Sequence, residues 1–417
     1  MIRGIAAAVF AIFAAATPSR AADNVCVTCH LKESGKASTP AKEFQKSIHA
    51  EAGVTCVDCH GGNPKDEDKA MDSSEGFTGA PAPKDIPKLC SKCHSDVNRM
   101  KQYKIRTDQY AEYKTSVHGK LLESGDENVA TCASCHGAHM IRKIDDPASS
   151  VFHTNVPETC GKCHADKARM AKYKIPTDQL EKYRESYHGK ILYGKISGKN
   201  PSLVPNCASC HGNHGATPPG VGEVVNVCGS CHGNTAKYFQ ESPHFAAIQT
   251  KGVPKCINCH GNHDIQFPTT DMLEGDSPRK CGSCHALTSG AYNIALGMKH
   301  KMAETDELIK TAHGEMEIAE KSGRNVEPLM ILFTEAQNKL VEAGPVLHTL
   351  NIAKFEGVLQ EGANKLQQVN AEVEKIRGEL RFRKKVMLAA DVLIGTIIFL
   401  LLLKLTFIKI DRRSAGK

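Results

Sequence analysis

The sequence predicts a mainly α-helical protein with much irregular structure: a cysteine- and histidine-rich array, then a long-helix bundle, then one C-terminal transmembrane helix. Three observations lead there. All 18 cysteines fall in Cys-x-x-Cys-His pentapeptides. Beyond Tyr292 the composition turns to apolar residues spaced three and four apart, the period of one face of a helix. Residues 386–408 form an apolar run of about 23 residues, long enough to cross a hydrocarbon core of ~30 Å.

The nine pentapeptides supply Cys26 and Cys29, Cys56 and Cys59, Cys90 and Cys93, Cys132 and Cys135, Cys160 and Cys163, Cys207 and Cys210, Cys228 and Cys231, Cys256 and Cys259, and Cys281 and Cys284. Each closes on a histidine: His30, His60, His94, His136, His164, His211, His232, His260 and His285. This is the spacing of covalent c-type haem attachment. Two thiols separated by two residues add to the two vinyl groups of one porphyrin, and the next histidine is held under the iron as proximal ligand. Structural zinc and a disulfide framework also use cysteines. Neither requires nine identical pentapeptides that consume every thiol. A thioredoxin-like dithiol would need a βαβ setting that nothing in the sequence suggests.

Arg3 gives residues 1–3 a short basic start, residues 4–16 are rich in Ala, Ile and Phe, and Ser19-Arg20-Ala21 places small residues where cleavage occurs. The expectation is a secretory signal peptide over 1–21, because the apolar run is too short to span a bilayer. The nine-haem domain is then expected over 22–290. It offers roughly 30 residues per haem and no Trp, too little for a conventional core at each site, so the haems must supply the apolar mass.

A degenerate repeat runs from His49 to His285. Its unit is a histidine in a Ser-x-His context, one haem motif, usually Gly-x-His after it, and a second haem motif. Tyr103-Lys104-Ile105-Arg106-Thr107-Asp108-Gln109 recurs as Tyr173-Lys174-Ile175-Pro176-Thr177-Asp178-Gln179. Ser116-Val117-His118-Gly119-Lys120 recurs as Ser186-Tyr187-His188-Gly189-Lys190. Helices are expected at 107–123 and 177–193, and a solvent-exposed loop over 61–88.

Of the 20 histidines, 11 lie outside the motifs, against nine distal positions. That match favours bis-histidine iron throughout. The Ser-x-His set (His49, His118, His188, His244) and the Gly-x-His set (His139, His214, His263) are the leading distal candidates. His313 in Ala-His-Gly and His153 upstream of Cys160 complete nine, leaving His300 and His348 over. Met100 and Met170 stand at matching places after proximal histidines and are read as packing residues rather than ligands.

Over 291–385 helices are expected at 289–321, 327–343 and from 346 onward, broken at residues 322–325 and at Gly344-Pro345. Leu366, Val369, Val373, Ile376 and Leu380 form one stripe, and Ile309, Ala312, Met316 and Ala319 another. The last helix is expected to enter the span at 386–408, so that the bundle acts as a stalk. Basic residues flank the span on both sides, so they do not orient it. Export of the haem region does, leaving the tail 409–417 in the cytoplasm.

The formal charge of +7 invites a nucleic-acid reading, which the haem count removes. Each ferric bis-histidine haem with two ionised propionates adds about −1, bringing nine-haem protein to roughly −2. No Gly-rich phosphate loop or Ser/His/Asp set is present.

The motifs and the Cys-His-Gly-x-His and Ser-x-His-Gly repeats resemble those of membrane-anchored, periplasmic multihaem c-type cytochromes of bacterial respiratory chains. The resemblance implies a nonahaem electron relay between the quinol pool, or a membrane cytochrome b partner, and periplasmic acceptors, with the inner membrane as anchor. The sequence departs from the best-known quinol-oxidising members in carrying its anchor at the C-terminus. Iron with two histidine ligands has no open position and exchanges electrons only. The competing expectation is a multihaem reductase of a small nitrogen or sulfur oxyanion with one open haem. Against it, no Cys-x-x-Cys-Lys motif occurs.

Overall fold

The structure is a computed structural model that describes residues 24–218, 223–252, 254–321, 323 and 325–414. The expected signal peptide lies outside them. Helices and irregular connections make up the described residues, with no strand among them. The chain divides into two compact units, Met1–Gly220 with Asn262–Gln266, and Val221–Gly261 with Phe267–Lys417.

In the first unit, helices are short. Four haem motifs form five-residue helices: Cys56–His60, Cys132–His136 and Cys207–His211 here, and Cys256–His260 in the second unit. The second variable residue of each motif closes a capping box on the residue before the first cysteine. Asp58 accepts from the Thr55 backbone N–H at 2.7 Å, Ser134 from Thr131 at 3.0 Å, Ser209 from Asn206 at 3.1 Å and Asn258 from Lys255 at 2.7 Å. Each helix then ends on a glycine with positive φ, Gly61, Gly137, Gly212 and Gly261, which turns the chain without the penalty a Cβ would bring. Motifs at Cys26, Cys90 and Cys160 instead lie on the longer helices Val25–Lys32, Ile86–His94 and Val156–His164.

The helices expected at 107–123 and 177–193 are each divided in two, Gln109–Thr115 and Val117–Glu123, and Gln179–Glu185 and Tyr187–Leu192. The cause is the serine of Ser-x-His. Ser116 and Ser186 adopt extended backbone and cap the following helix, accepting from Gly119 N at 2.9 Å and Gly189 N at 3.0 Å. Each hydroxyl also donates to a carbonyl of the preceding helix at 2.6 Å, Tyr113 or Tyr183. Both serines are buried, yet both roles of the hydroxyl are filled, so burial carries no penalty for an unmade bond. The expected loop 61–88 contains the single turns Ser73–Glu75 and Pro83–Asp85 and gives way to helix at Ile86.

The second unit carries three long helices, Gly290–Lys321, Glu327–Val346 and Ile352–Ser414. Ala312, Met316, Ala319, Leu329, Phe333, Leu366, Val369 and Val373 form one core, with Ile309 and Ile376 packed against it. A second core of Leu273, Ala295, Met298, Ala343, Val346, Phe355 and Leu359 reaches the last haem motif through Cys281. The helix expected to stop at 343 runs on through Gly344 and Pro345 to Val346, forgoing the one bond that Pro345, with no N–H, cannot donate to Val341 O. A 3-10 turn, Leu347–Thr349, follows, and Leu350 ends it in the left-handed region at φ 54°. The final helix includes a segment long and apolar enough to cross a membrane, and none of that window is buried.

Leu366→Ala is expected to destabilise the helical unit by about 2–5 kcal/mol, the usual range for an unfilled core site. Thermal unfolding followed by far-ultraviolet circular dichroism on detergent-solubilised protein reads this. An unchanged midpoint would mean that the stripe is not packed as described.

Candidate haem sites

Seven motif histidines face a second imidazole. The pairs are His94 with His49 (ring centroids 5.9 Å apart), His60 with His139 (6.1 Å), His164 with His118 (6.1 Å), His136 with His214 (6.2 Å), His211 with His263 (6.0 Å), His285 with His244 (5.9 Å) and His260 with His348 (6.1 Å). The spacing is diagnostic. Metal–nitrogen bonds of about 2.0 Å, with about 1.1 Å from nitrogen to ring centre, put two trans imidazoles about 6.2 Å apart across one ion. No cluster of three or more Cys, His, Asp or Glu able to hold a metal exists among the described residues. Each pair would hold an ion from two opposite sides and leave its remaining positions to other donors such as those of a planar macrocycle, which would suit haem and not tetrahedral zinc.

The ring nitrogens are prepared for this. His60 Nδ1 donates to Gly79 O at 2.8 Å, His30 Nδ1 to Ala37 O at 2.8 Å, and His348 Nδ1 to Gly344 O and Pro345 O at 3.1 and 3.2 Å. A proton fixed on Nδ1 leaves the Nε2 lone pair for iron. Burial lowers the imidazole pKa at His49, His94, His118, His136, His139, His164, His214, His244, His260, His263 and His348, which favours the neutral, ligating form.

Donors come from elsewhere in the chain than the motifs they face. His139 follows the Cys132 motif but faces His60. His214 follows the Cys207 motif and faces His136, and His263 follows the Cys256 motif and faces His211. Each Gly-x-His thus reaches back two motifs. Ser-x-His works the other way: His49 faces His94, His118 faces His164 and His244 faces His285, each downstream. One backbone bond ties the two systems. Ile48 N donates to Ile141 O at 2.9 Å, Val117 N to Ala216 O at 3.1 Å and Tyr187 N to Ile265 O at 2.7 Å, each joining a Ser-x-His helix to the residue two beyond a Gly-x-His. His188 occupies on its helix the place His118 holds on its own. Ring planes are tilted by 59° and 56° for His49 and His118, against 19°, 9° and 16° for His139, His214 and His263, and His244, although a Ser-x-His residue, lies with the second group at 15°.

Two expected distal residues are placed elsewhere. His153 donates from Nε2 to Val204 O at 2.9 Å and accepts at Nδ1 from Asn206 Nδ2 at 3.3 Å, so neither nitrogen keeps a lone pair for iron. Its role is to hold Asn206, the cap of the Cys207 motif. His313 packs against Phe333 and lies 3.7 Å from the Glu317 carboxylate on a half-exposed helix face. His300 is exposed on the same helix. His348, expected to be left over, instead faces His260 at the same spacing as the other pairs. The clue lay in the repeat: no Gly-x-His follows two motifs after Cys256, so His260 needed a donor from the helical region. Met100 and Met170 are buried, as packing residues.

Attachment sites follow one another in chain order. In the first unit the Cys26 thiol is within reach of Cys56, Cys90 of Cys132 and Cys160 of Cys207, while Cys59 lies near Cys90 and Cys135 near Cys160. In the second, Cys256 is within reach of Cys228, and Cys259 lies near Cys281. Within each unit, these contacts link each site to the next.

A cytochrome c3 family model matches residues 48–165, and a cytochrome c554 and c-prime family model matches residues 11–61. No curated protein and no solved structure matches the chain. The two family matches support a multihaem c-type cytochrome that transfers electrons through covalently bound haem.

His348→Ala is expected to add one high-spin haem to the ferric spectrum, and His153→Ala to add none, as read by electron paramagnetic resonance. Gly119→Ala should behave like loss of His118, because its Cβ would meet Tyr113 O at 2.0 Å and force the His118 helix away. A low-spin spectrum in Gly119→Ala would contradict that packing.

Proposed function

We propose that the protein is a membrane-anchored electron relay carrying nine covalent haems, one at each Cys-x-x-Cys-His motif, in the order of the chain. The observation that carries this is the adjacency of successive attachment sites within each unit. Haems placed edge to edge pass electrons without substrate chemistry, and irons held by two imidazoles have no position left for a substrate. The residues set out above as facing pairs are the axial ligands, and the cysteines are the points of thioether attachment. Haem supplies the redox centre; the chain fixes its orientation, spacing and axial field.

Bis-histidine ligation favours lower potentials than histidine–methionine ligation, which suits exchange with the quinol pool or a membrane cytochrome b partner on one side and periplasmic redox proteins on the other. The apolar stretch of the last helix is the anchor in the inner membrane, and the haem region is periplasmic after removal of a signal peptide.

Intact mass and a pyridine haemochrome assay on purified protein should give nine haems on a chain lacking its first residues. Seven or fewer in fully matured protein would contradict the proposal. Membrane vesicles given a quinol should reduce the haems, and protease added to spheroplasts should remove the haem region while sparing a small membrane-bound fragment. A haem region resistant to protease until lysis would place it in the cytoplasm.

A further inference from the structure

We propose that the haem attached at Cys26 and Cys29 is open at its sixth position and binds a small monodentate ligand there. This rests on the haem reading above. His30 is dressed as a proximal ligand: its Nδ1 donates to Ala37 O at 2.8 Å, as His60 Nδ1 does to Gly79 O, so Nε2 is presented to iron. Its helix is capped by Asn24, whose side chain accepts from Cys26 N at 2.9 Å, and Val25 N donates to Pro64 O at 3.1 Å. The attachment site is thus formed and held. Yet among the described residues His30 faces no second imidazole, unlike the seven paired motif histidines.

The repeat explains why. A motif of this kind, on a longer helix, takes its distal histidine from a Ser-x-His helix upstream, as His94 does from His49 and His164 from His118. Residues 1–25 contain no histidine. The Gly-x-His route does not serve it either, since His139, His214 and His263 are all committed to other motifs. His153, the unpaired histidine of the same unit, has both ring nitrogens occupied. The motif also lacks the Gly that follows His60, His136, His211 and His260: Leu31 and Lys32 continue the helix instead. The Cys26 thiol is within reach of Cys56, which places this iron next to a paired one and at one end of the row.

The test uses full-length holoprotein with carbon monoxide on the ferrous form and cyanide on the ferric form. About one ninth of the haem is expected to bind each ligand, and the ferric spectrum should show a matching high-spin component. Cys26→Ala/Cys29→Ala should abolish both. If that variant is not matured, His30→Met serves, and the carbon monoxide complex should shift its Soret maximum. Protein with nine haems, no high-spin component and no ligand binding would overturn the proposal while leaving the relay intact. Ligand binding that persists unaltered in both variants would place the open iron elsewhere and also overturn it. Fewer haems than motifs would instead count against the haem reading.

Discussion

Two imidazoles held about 6 Å apart, centre to centre, are the constraint on which the rest of the structure depends. An iron would fit between the rings of each pair, and the chain builds the pairs with Ser-x-His residues of the same repeat and Gly-x-His residues of the next. His139 cannot face His60 unless the Cys132 motif, eighty or so residues on along the chain's course of helices and turns, has folded beside the Cys56 motif. No repeat of this kind completes its own sites. The array is therefore cooperative in ligation even though each haem is tethered locally by its two cysteines, and the loss of one donor is felt in a repeat distant in sequence.

The small residues of the array are explained by this constraint rather than by packing of an apolar core. Gly119 and Gly189 allow the helix bearing each distal histidine to cross the preceding helix at a carbonyl, where a Cβ would lie 2.0 or 1.8 Å from Tyr113 O or Tyr183 O. The buried serines before them turn the chain and satisfy the polar groups exposed by the turn. In the fourth repeat Pro243 replaces the residue whose N–H makes the inter-segment bond in the other three. Its distal partner system is also different, since His260 is served by His348 from the helical region. The helices of the second unit are thus more than a stalk. The turn Leu347–Thr349 that follows Glu327–Val346 presents His348 to His260, with Gly344 and Pro345 carbonyls aligning it, and the next helix continues into the apolar stretch.

Much of this was legible in the sequence. The motifs gave attachment, and the recurring Ser-x-His and Gly-x-His contexts marked His49, His118, His139, His214, His244 and His263, all of which face motif histidines. Which faces which was not legible, because Gly-x-His reaches back past an intervening motif and spacing carries no direction. His153 misled by proximity: it stands near Cys160 in sequence, but its ring is consumed in holding Asn206. His348 was hidden because its placement depends on where a helix ends, and Pro345 proved compatible with the last helical turn, moving the break to Leu350. Helical periodicity across Ser116 and Ser186 likewise concealed the turns, since local apolar spacing continues through a cap that only the crossing carbonyls reveal.

The most direct measurement is an experimental density map of the holoprotein at the Cys56 site. The account predicts a porphyrin joined to Cys56 and Cys59 whose iron is bound by His60 on one face and His139 on the other, with iron–nitrogen distances of about 2.0 Å. A map in which His139 is bound instead to the haem of its own neighbouring motif at Cys132, or in which no macrocycle lies between His60 and His139, would contradict it.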